Sequence, residues 1–443
     1  MTIDSMNTKT AIENLPPEYD CSYYETKLNN YYEILNSNLD FHGKSTNYNS
    51  HNYHAFAAKF PPQIPRIFME NLTQESDTVL DPLVGSGTTL VEAALLDRNA
   101  IGVDLDPLSQ LICKAKISRI PQASAQNTLS EILNYMNFHL EPKKPEKWIR
   151  EHFDEKTKEF IDFWFEKKTQ LELATLMCSI EEVAPDENMK NLFLGIFSSI
   201  IITKAGGVSK ARDLAHTRPH RDLKKKPKNA INQFRIKAEK SIKALSSMEK
   251  ARGNAKVIPG DARNLPLSNN SIDLIITSPP YVNGIDYMRA HKFSLVWFGW
   301  PIDRLSHLRS RYIGSEKLKN MGDTLPKVTS RWCEKLEDKD ARKGKILRQY
   351  YCDMSAVISE MYRVLRDGTA AIIIVGTSTM RGIVIPHHLC LKEIAAHTGF
   401  KCIKIGERAL ERNRRMMPIA HKSSRNGIEN RLHCEYILGL WKE

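Results

Sequence analysis

The chain has 443 residues, 41% of them apolar, enough for one large domain with insertions or for two ordinary domains with real cores. It contains no apolar run of membrane-spanning length and no N-terminal succession of charged, apolar and small residues, which argues against a membrane span or a secretory signal and sets the expectation of a soluble, cytoplasmic protein. The formal net charge of +12, from 64 Lys and Arg against 52 Asp and Glu, points to a polyanionic partner, nucleic acid above all.

Residues 1–50 are rich in Asn, Tyr and Ser with little regular period and read as an N-terminal extension with room for one helix. From AKFPPQIPRIFMENL the pattern becomes a proline-started helix, with Ile64, Ile67, Phe68 and Leu72 on one face. Next, TVLD reads as a strand, DPLVGSG as a glycine-rich turn, TTLVEAALLD as a helix, AIGVDLD as a second strand, and Pro107 opens a second helix. That succession is a parallel βαβ unit. Residues 118–250 break the alternation with charged, helix-period sequence and are read as an insertion between two parts of one α/β domain, 51–117 and 251–443. Its end is basic: 204–240 holds twelve Lys and Arg, including Lys224, Lys225 and Lys226, against three acids. The α/β rhythm resumes with AKVIPGDARNLPL and SIDLIITSPPY, is interrupted by a second irregular, basic stretch at 300–347, and continues as a helix, a glycine turn and a β-branched strand to TS378. The tail pairs GFKCIKIGERAL with HCEYILGLWK across a long basic loop containing Arg414 and Arg415. Eight scattered cysteines form no CxxC pair or zinc spacing and read as reduced core thiols, and no metal is expected.

Gly85 and Gly87 stand between a strand and a helix, where glycines let the backbone approach a ligand and the helix start offers free N–H groups. A phosphate loop is excluded because no Lys follows the second glycine, and the dinucleotide pattern fails because Leu90 stands where a third glycine belongs. Asp104 ends the next strand, where a carboxylate accepts the two ribose hydroxyls of a nucleoside. Asp261, at a later strand end, is placed to accept from an exocyclic amine of adenine. The strand IDLIIT delivers Ser278, Pro279, Pro280 and Tyr281 to the carboxyl edge of the sheet, where open α/β sheets bind ligands. Two prolines fix φ and remove two N–H donors, which suits a substrate that itself donates hydrogen bonds, and Tyr281 offers a ring face to a base.

DPLVGSGTT, GVDLDP and TSPPY, in that order, resemble the motifs of the S-adenosylmethionine-dependent DNA amino-methyltransferases, and AAKFPP at 57–62 is similar to a further cofactor motif of that family. The match covers roughly 53–117 and 255–443 and leaves the insertion and the N-terminal extension unaccounted for. The resemblance implies a Rossmann-like class I methyltransferase: an α/β, doubly wound, mostly parallel sheet with a reversed C-terminal strand. Carried onto the matching positions, it places Lys59, Phe60, Pro61, Asp81, Pro82, Gly85, Gly87, Thr88, Thr89, Asp104, Leu105, Asp261 and Ala262 at S-adenosylmethionine, and Ser278, Pro279, Pro280 and Tyr281 at the reacting amine. It further implies a base flipped out of double-stranded DNA and direct methyl transfer with neither a covalent enzyme intermediate nor a metal. Ser before the prolines is the variant most associated with cytosine N4, with adenine N6 and guanine N2 of RNA as alternatives.

Asn283, Asp286, Tyr287, Arg289, His291 and Lys292 crowd the residues after TSPPY and are expected to line the base pocket or touch the target strand, unless Asp286 simply caps a helix. Lys224, Lys225, Lys226, Arg414 and Arg415 are candidate DNA contacts, the insertion being the candidate recognition region. The resulting expectation is a nucleoid-associated bacterial or archaeal enzyme of restriction-modification, paired with a restriction endonuclease.

Overall fold

The computed structural model describes residues 21–203, 207–212, 214, 219–282, 285–315, 324–411 and 432–443. In chain order, the first half of the sheet domain comprises α1 (Cys21–Asn36), α2 (Gln63–Leu72), β1 (Thr78–Asp81), α3 (Thr88–Leu95), β2 (Asn99–Asp104) and α4 (Pro107–Ile117). A helical insertion follows, with α5 (Gln122–Asn134), α6 (Lys144–His152), α7 (Glu155–Trp164), α8 (Lys167–Val183), α9 (Glu187–Ile201), a small hairpin of β3 (Ala211–Arg212) and β4 (His220–Arg221), and α10 (Ala230–Leu245). The sheet resumes with β5 (Ala255–Pro259) and β6 (Ile272–Thr277), and then α11 (Tyr287–Leu295), α12 (Ile302–Arg309), α13 (Lys327–Glu337) and α14 (Ala341–Val364) lead to β7 (Leu365–Gly376). A hairpin of β8 (Ser378–Met380) and β9 (Ile383–Ile385), then α15 (His387–Thr398), β10 (Lys401–Ala409) and β11 (Cys434–Lys442), complete it.

Seven strands form one sheet in the order β10-β11-β7-β6-β1-β2-β5. All neighbours are parallel except β11, which runs antiparallel to both β7 and β10. The strands are apolar on both faces, as a sheet covered on both sides requires. Leu274, Ile276, Ile372 and Ile374 pack with Tyr31 of α1 and Phe68 of α2, whereas Ile275, Ile373 and Val375 pack with Tyr350 and Met354 of α14. The fold is therefore α/β, doubly wound, with a reversed C-terminal strand.

Three segments differ from their reading in sequence. Helix α1, expected in a loose extension, docks on the sheet: the buried Tyr31 hydroxyl donates to the Ala371 carbonyl of β7 at 3.1 Å, and its ring meets Phe68 edge-on at 6.0 Å. The 300–347 stretch is helical where described, and α13 buries Thr329, Cys333 and Leu336, a helical spacing hidden among surface charges. The insertion shares a core with α4 and with the segment after β6, where the fully buried Trp297 is ringed by Trp148, Phe153 and Phe165 at 5.2–6.2 Å. It is a continuation of the fold that buttresses α11.

Candidate active site

The chain passes from β1 outwards through β2 to β5, then returns to place β6 on the other side of β1. A crevice opens outside the carboxyl ends of β1 and β6, where the strand order reverses. It is a cleft of about 1490 Å³ including its open mouth. One carboxylate holds the floor together: Asp81 accepts from Thr277 Oγ1 (2.8 Å), Thr89 Oγ1 (2.8 Å) and Leu83 N (3.2 Å), joining β1 to β6 and to α3. Burial pushes its carboxyl up to about 6, against the pull of these donors. Asp81 and Thr89, both expected at the cofactor, are thus spent on this junction and do not line the cleft. Asp81→Ala strips two buried threonines of their acceptor, and the unfolding free energy should fall by about 3 kcal/mol in urea titration. A loss under about 1 kcal/mol would mean that the junction holds without it.

Above that floor the turn curls through Gly85 (φ 47°) and Gly87 (φ 74°), conformations that a side chain disfavours. Lys116, fully buried on α4, donates to the Ser86 carbonyl at 2.6 Å and secures the turn from behind; burial lowers its pKa to about 8. Pro82, Gly85 and Thr88 line the cleft, and Gly87 stands behind them. Asp104 faces the turn and accepts from Gly85 N (2.9 Å) and Asp106 N (2.8 Å). Burial and the adjacent Asp106 raise its carboxyl to about 7. Burial also opposes ionisation of Asp106, but His291 Nδ1 at 2.6 Å and the backbone N–H of Leu108 hold that group below the usual carboxylate range. His291 therefore does not line the cleft: it pins α11 to the start of α4. Phe56, unforeseen in the sequence, stacks on Tyr287 at 5.2 Å, and both rings line the cavity.

Lys59, Phe60, Leu105, Asp261 and Ala262 also line the cleft, whereas Pro61 is buried beside it. Asp261 is engaged by Arg263 through Nε (2.9 Å) and Nη2 (2.7 Å). Despite partial burial, this guanidinium keeps the Asp261 carboxyl below its ordinary range.

Strand β6 delivers Ser278, Pro280 and Tyr281 to the cleft wall, with Pro279 buried behind them. Tyr281 is clamped from the reversed strand: its hydroxyl donates to Glu435 Oε1 at 3.0 Å, and Arg408 Nη1 donates to Glu435 Oε2 at 2.6 Å. Arg408 and Glu435 face each other across β10 and β11, and Arg408 is only 3% exposed. Burial and the Glu435 charge raise the Tyr281 phenol well above its ordinary value, so it remains a donor. Neither clamp residue carried a signal in the sequence.

Asp286, which could have been a simple cap, makes no side-chain cap hydrogen bond to α11, and its carboxylate instead accepts from Arg289 Nε (3.0 Å) and Arg309 Nε (2.8 Å) at the cleft mouth. The segment after α12 adds Tyr312, which lines the cleft with its hydroxyl turned towards Asp106. Lys292 lies off the cleft over the Phe160 ring. Lys224 and Lys226 are exposed on the insertion, and Lys225 Nζ donates to the Ala211 carbonyl at 2.6 Å. Asn283, Arg414 and Arg415 lie outside the described residues.

The family model described as DNA methylase, of the N6/N4 methyltransferase class, matches residues 6–114. The chain is 25% identical over 389 residues to the type II methyltransferase M.MvaI of Kocuria varians, covering 81% of this chain and 84% of that protein. These likenesses support an S-adenosylmethionine-dependent DNA amino-methyltransferase. The chain is also 24% identical to the type II methyltransferase M.BsoBI of Geobacillus stearothermophilus, covering 84% of the chain and 83% of the relative. A solved S-adenosylmethionine-dependent methyltransferase of Methanosarcina mazei aligns with a TM-score of 0.30 and 10% identity, covering 84% of this chain and 96% of that one. The residues of the cleft fit S-adenosylmethionine: a glycine turn opposite a strand-end carboxylate, and two aromatic rings beside them.

Proposed function

We propose that this DNA amino-methyltransferase modifies the N4 amine of cytosine in double-stranded DNA, as the modification half of a type II restriction-modification pair. One observation carries the reading: Ser278 stands on the cleft wall at the end of β6, beside the clamped Tyr281 and across the switch point from Gly85 and Asp104. The relatives' type II names support the biological setting. S-adenosylmethionine, when bound, supplies an electrophilic sulfonium methyl. Asp104 would accept from the ribose hydroxyls, and the Phe56–Tyr287 pair would flank the cofactor side of the cleft.

The amine lone pair of cytosine is delocalised into its ring, so the nitrogen is a poor nucleophile. Acceptors at Ser278 Oγ and the Pro279 carbonyl would engage the amine hydrogens and localise the lone pair towards the methyl group. Tyr281, unable to swing because Glu435 holds its hydroxyl, would stack the extruded base. The new N–C bond then forms as the S–C bond breaks, and the amine proton leaves to solvent. Positioning and fixed dipoles provide the catalysis.

Mass spectrometry of nucleosides from duplex DNA incubated with the enzyme and cofactor tests this reading. N4-methylcytosine is the expected product. N6-methyladenine without it would move the target to adenine, and methyl incorporation into tRNA or rRNA but not duplex DNA would reject DNA as the substrate.

A further inference from the structure

Two cations, one beside the cleft and one on the insertion hairpin, have aromatic rings where a carboxylate would be expected. Lys292, one turn beyond Arg289 on α11, places Nζ 5.1 Å from the centre of the Phe160 ring. Arg221, on β4 of the insertion hairpin, sits 4.1 Å over the Phe163 ring. Neither has an ion-pair partner among the described residues. Phe160 and Phe163 are three residues apart on α7 and so share a face, and Phe163 is left 46% exposed. A ring face steadies a cation but does not neutralise it.

The two pairs connect regions that are both positive. At the inner end, Lys292 feels the charges of Arg289 and Arg309, two guanidiniums sharing the single carboxylate of Asp286 at the cleft mouth. At the outer end, Arg221 leads to the exposed Lys224 and Lys226, with Leu223 between them 72% exposed. Cations therefore run from the cleft mouth across α7 to the hairpin, interleaved with apolar side chains, while the neighbouring acids Asp162 and Asp222 are taken by Lys167 and Arg212. A polyanion whose sugars also offer apolar contact matches that alternation.

We propose that this track carries the sugar-phosphate backbone of the DNA that flanks the target base, with phosphates against Arg309, Lys292, Arg221 and Lys224 and the rim of Phe163 against a deoxyribose. The proposal rests on the DNA reading above and adds the path by which the duplex leaves the cleft. It makes the insertion a backbone-holding surface, which sets register without itself reading sequence.

The test is equilibrium binding of sonicated mixed-sequence duplex DNA, titrated between about 50 and 200 mM salt. Arg221→Ala combined with Lys292→Ala should weaken binding at least ~10-fold at the lower salt and reduce the slope of log affinity against log salt by about two. Cofactor affinity by calorimetry should be unchanged, as should DNA binding by Lys401→Ala on the distant edge strand. If the double variant fails to fold, Arg221→Gln alone, at an exposed position, should lower the slope by about one. Unchanged affinity and slope in folded variants of an enzyme that methylates duplex DNA would overturn the track alone. A wild-type enzyme that binds the cofactor but neither binds nor methylates duplex DNA would overturn the DNA reading, and the track with it.

Discussion

Replacing Asp104 by Ala should weaken S-adenosylmethionine binding by about two to four orders of magnitude while leaving the fold intact. Two hydrogen bonds to an ionised acceptor contribute about 1.5–3 kcal/mol each, and each 1.4 kcal/mol is tenfold in affinity. The same oxygens also hold Gly85 N and Asp106 N, so the substitution frees the turn and the head of α4. A pH dependence accompanies it. Burial and Asp106 raise the Asp104 carboxyl to about 7, so the cofactor-free protein takes up a proton as pH falls through neutrality. Hydroxyl donors favour the carboxylate, and affinity should therefore fall between about pH 8 and about pH 6. Folding has the opposite preference: a carboxyl whose folded pKa lies above its unfolded value favours the folded state at low pH, and that contribution is lost as pH rises from about 4 to about 7. Calorimetry across this range separates the two, since Asp104→Asn should bind weakly at every pH. A wild-type affinity that is flat from pH 6 to 8 would remove Asp104 from the cofactor.

What the sequence made legible follows a physical division. Strand ends and turns wear their chemistry openly: glycines between a strand and a helix, an acid at a strand end, prolines after an apolar run. Hence Gly85, Asp104, Ser278 and Tyr281 are found on one cleft. Partners drawn from distant strands leave no such mark. Glu435 lies 154 residues from the tyrosine it holds, and in sequence it is an ordinary acid at the start of an apolar strand. Asp81 shows the converse, since a motif fixes a residue type without saying whether its oxygens face a ligand or the core. His291 shares a helix face with the lining Tyr287 and packs against that ring and Phe56, but it lies behind them, held by Asp106, and its place in a second layer leaves no mark in the sequence. Helices α12 and α13 were hidden because their buried stripes are narrow and their exposed faces densely charged.

Ser278→Ala should lower kcat by about 10²–10³-fold, the scale seen when one preorganised hydrogen-bonding group is removed from a reacting centre, with cofactor affinity unchanged. Ser278 half-faces the cleft from β6, whereas the glycine turn follows β1, so its loss should leave the cofactor side intact. Tyr281→Ala removes a stacking face worth about 1–3 kcal/mol, and should raise the DNA concentration needed for half-maximal rate as well as lower kcat. Tyr281→Phe keeps that face but releases it from Glu435, and it isolates the clamp. If stacking alone matters, the phenylalanine enzyme should match the wild type; if orientation matters, it should lose kcat with little change in the DNA requirement. Glu435→Gln discriminates further, because the amide can still accept from Tyr281 while giving up the charge that Arg408 answers. Retained kcat there, with loss in Tyr281→Phe, would place the effect in the hydroxyl contact, and the reversed strand β11 would then serve the reaction by holding one ring still.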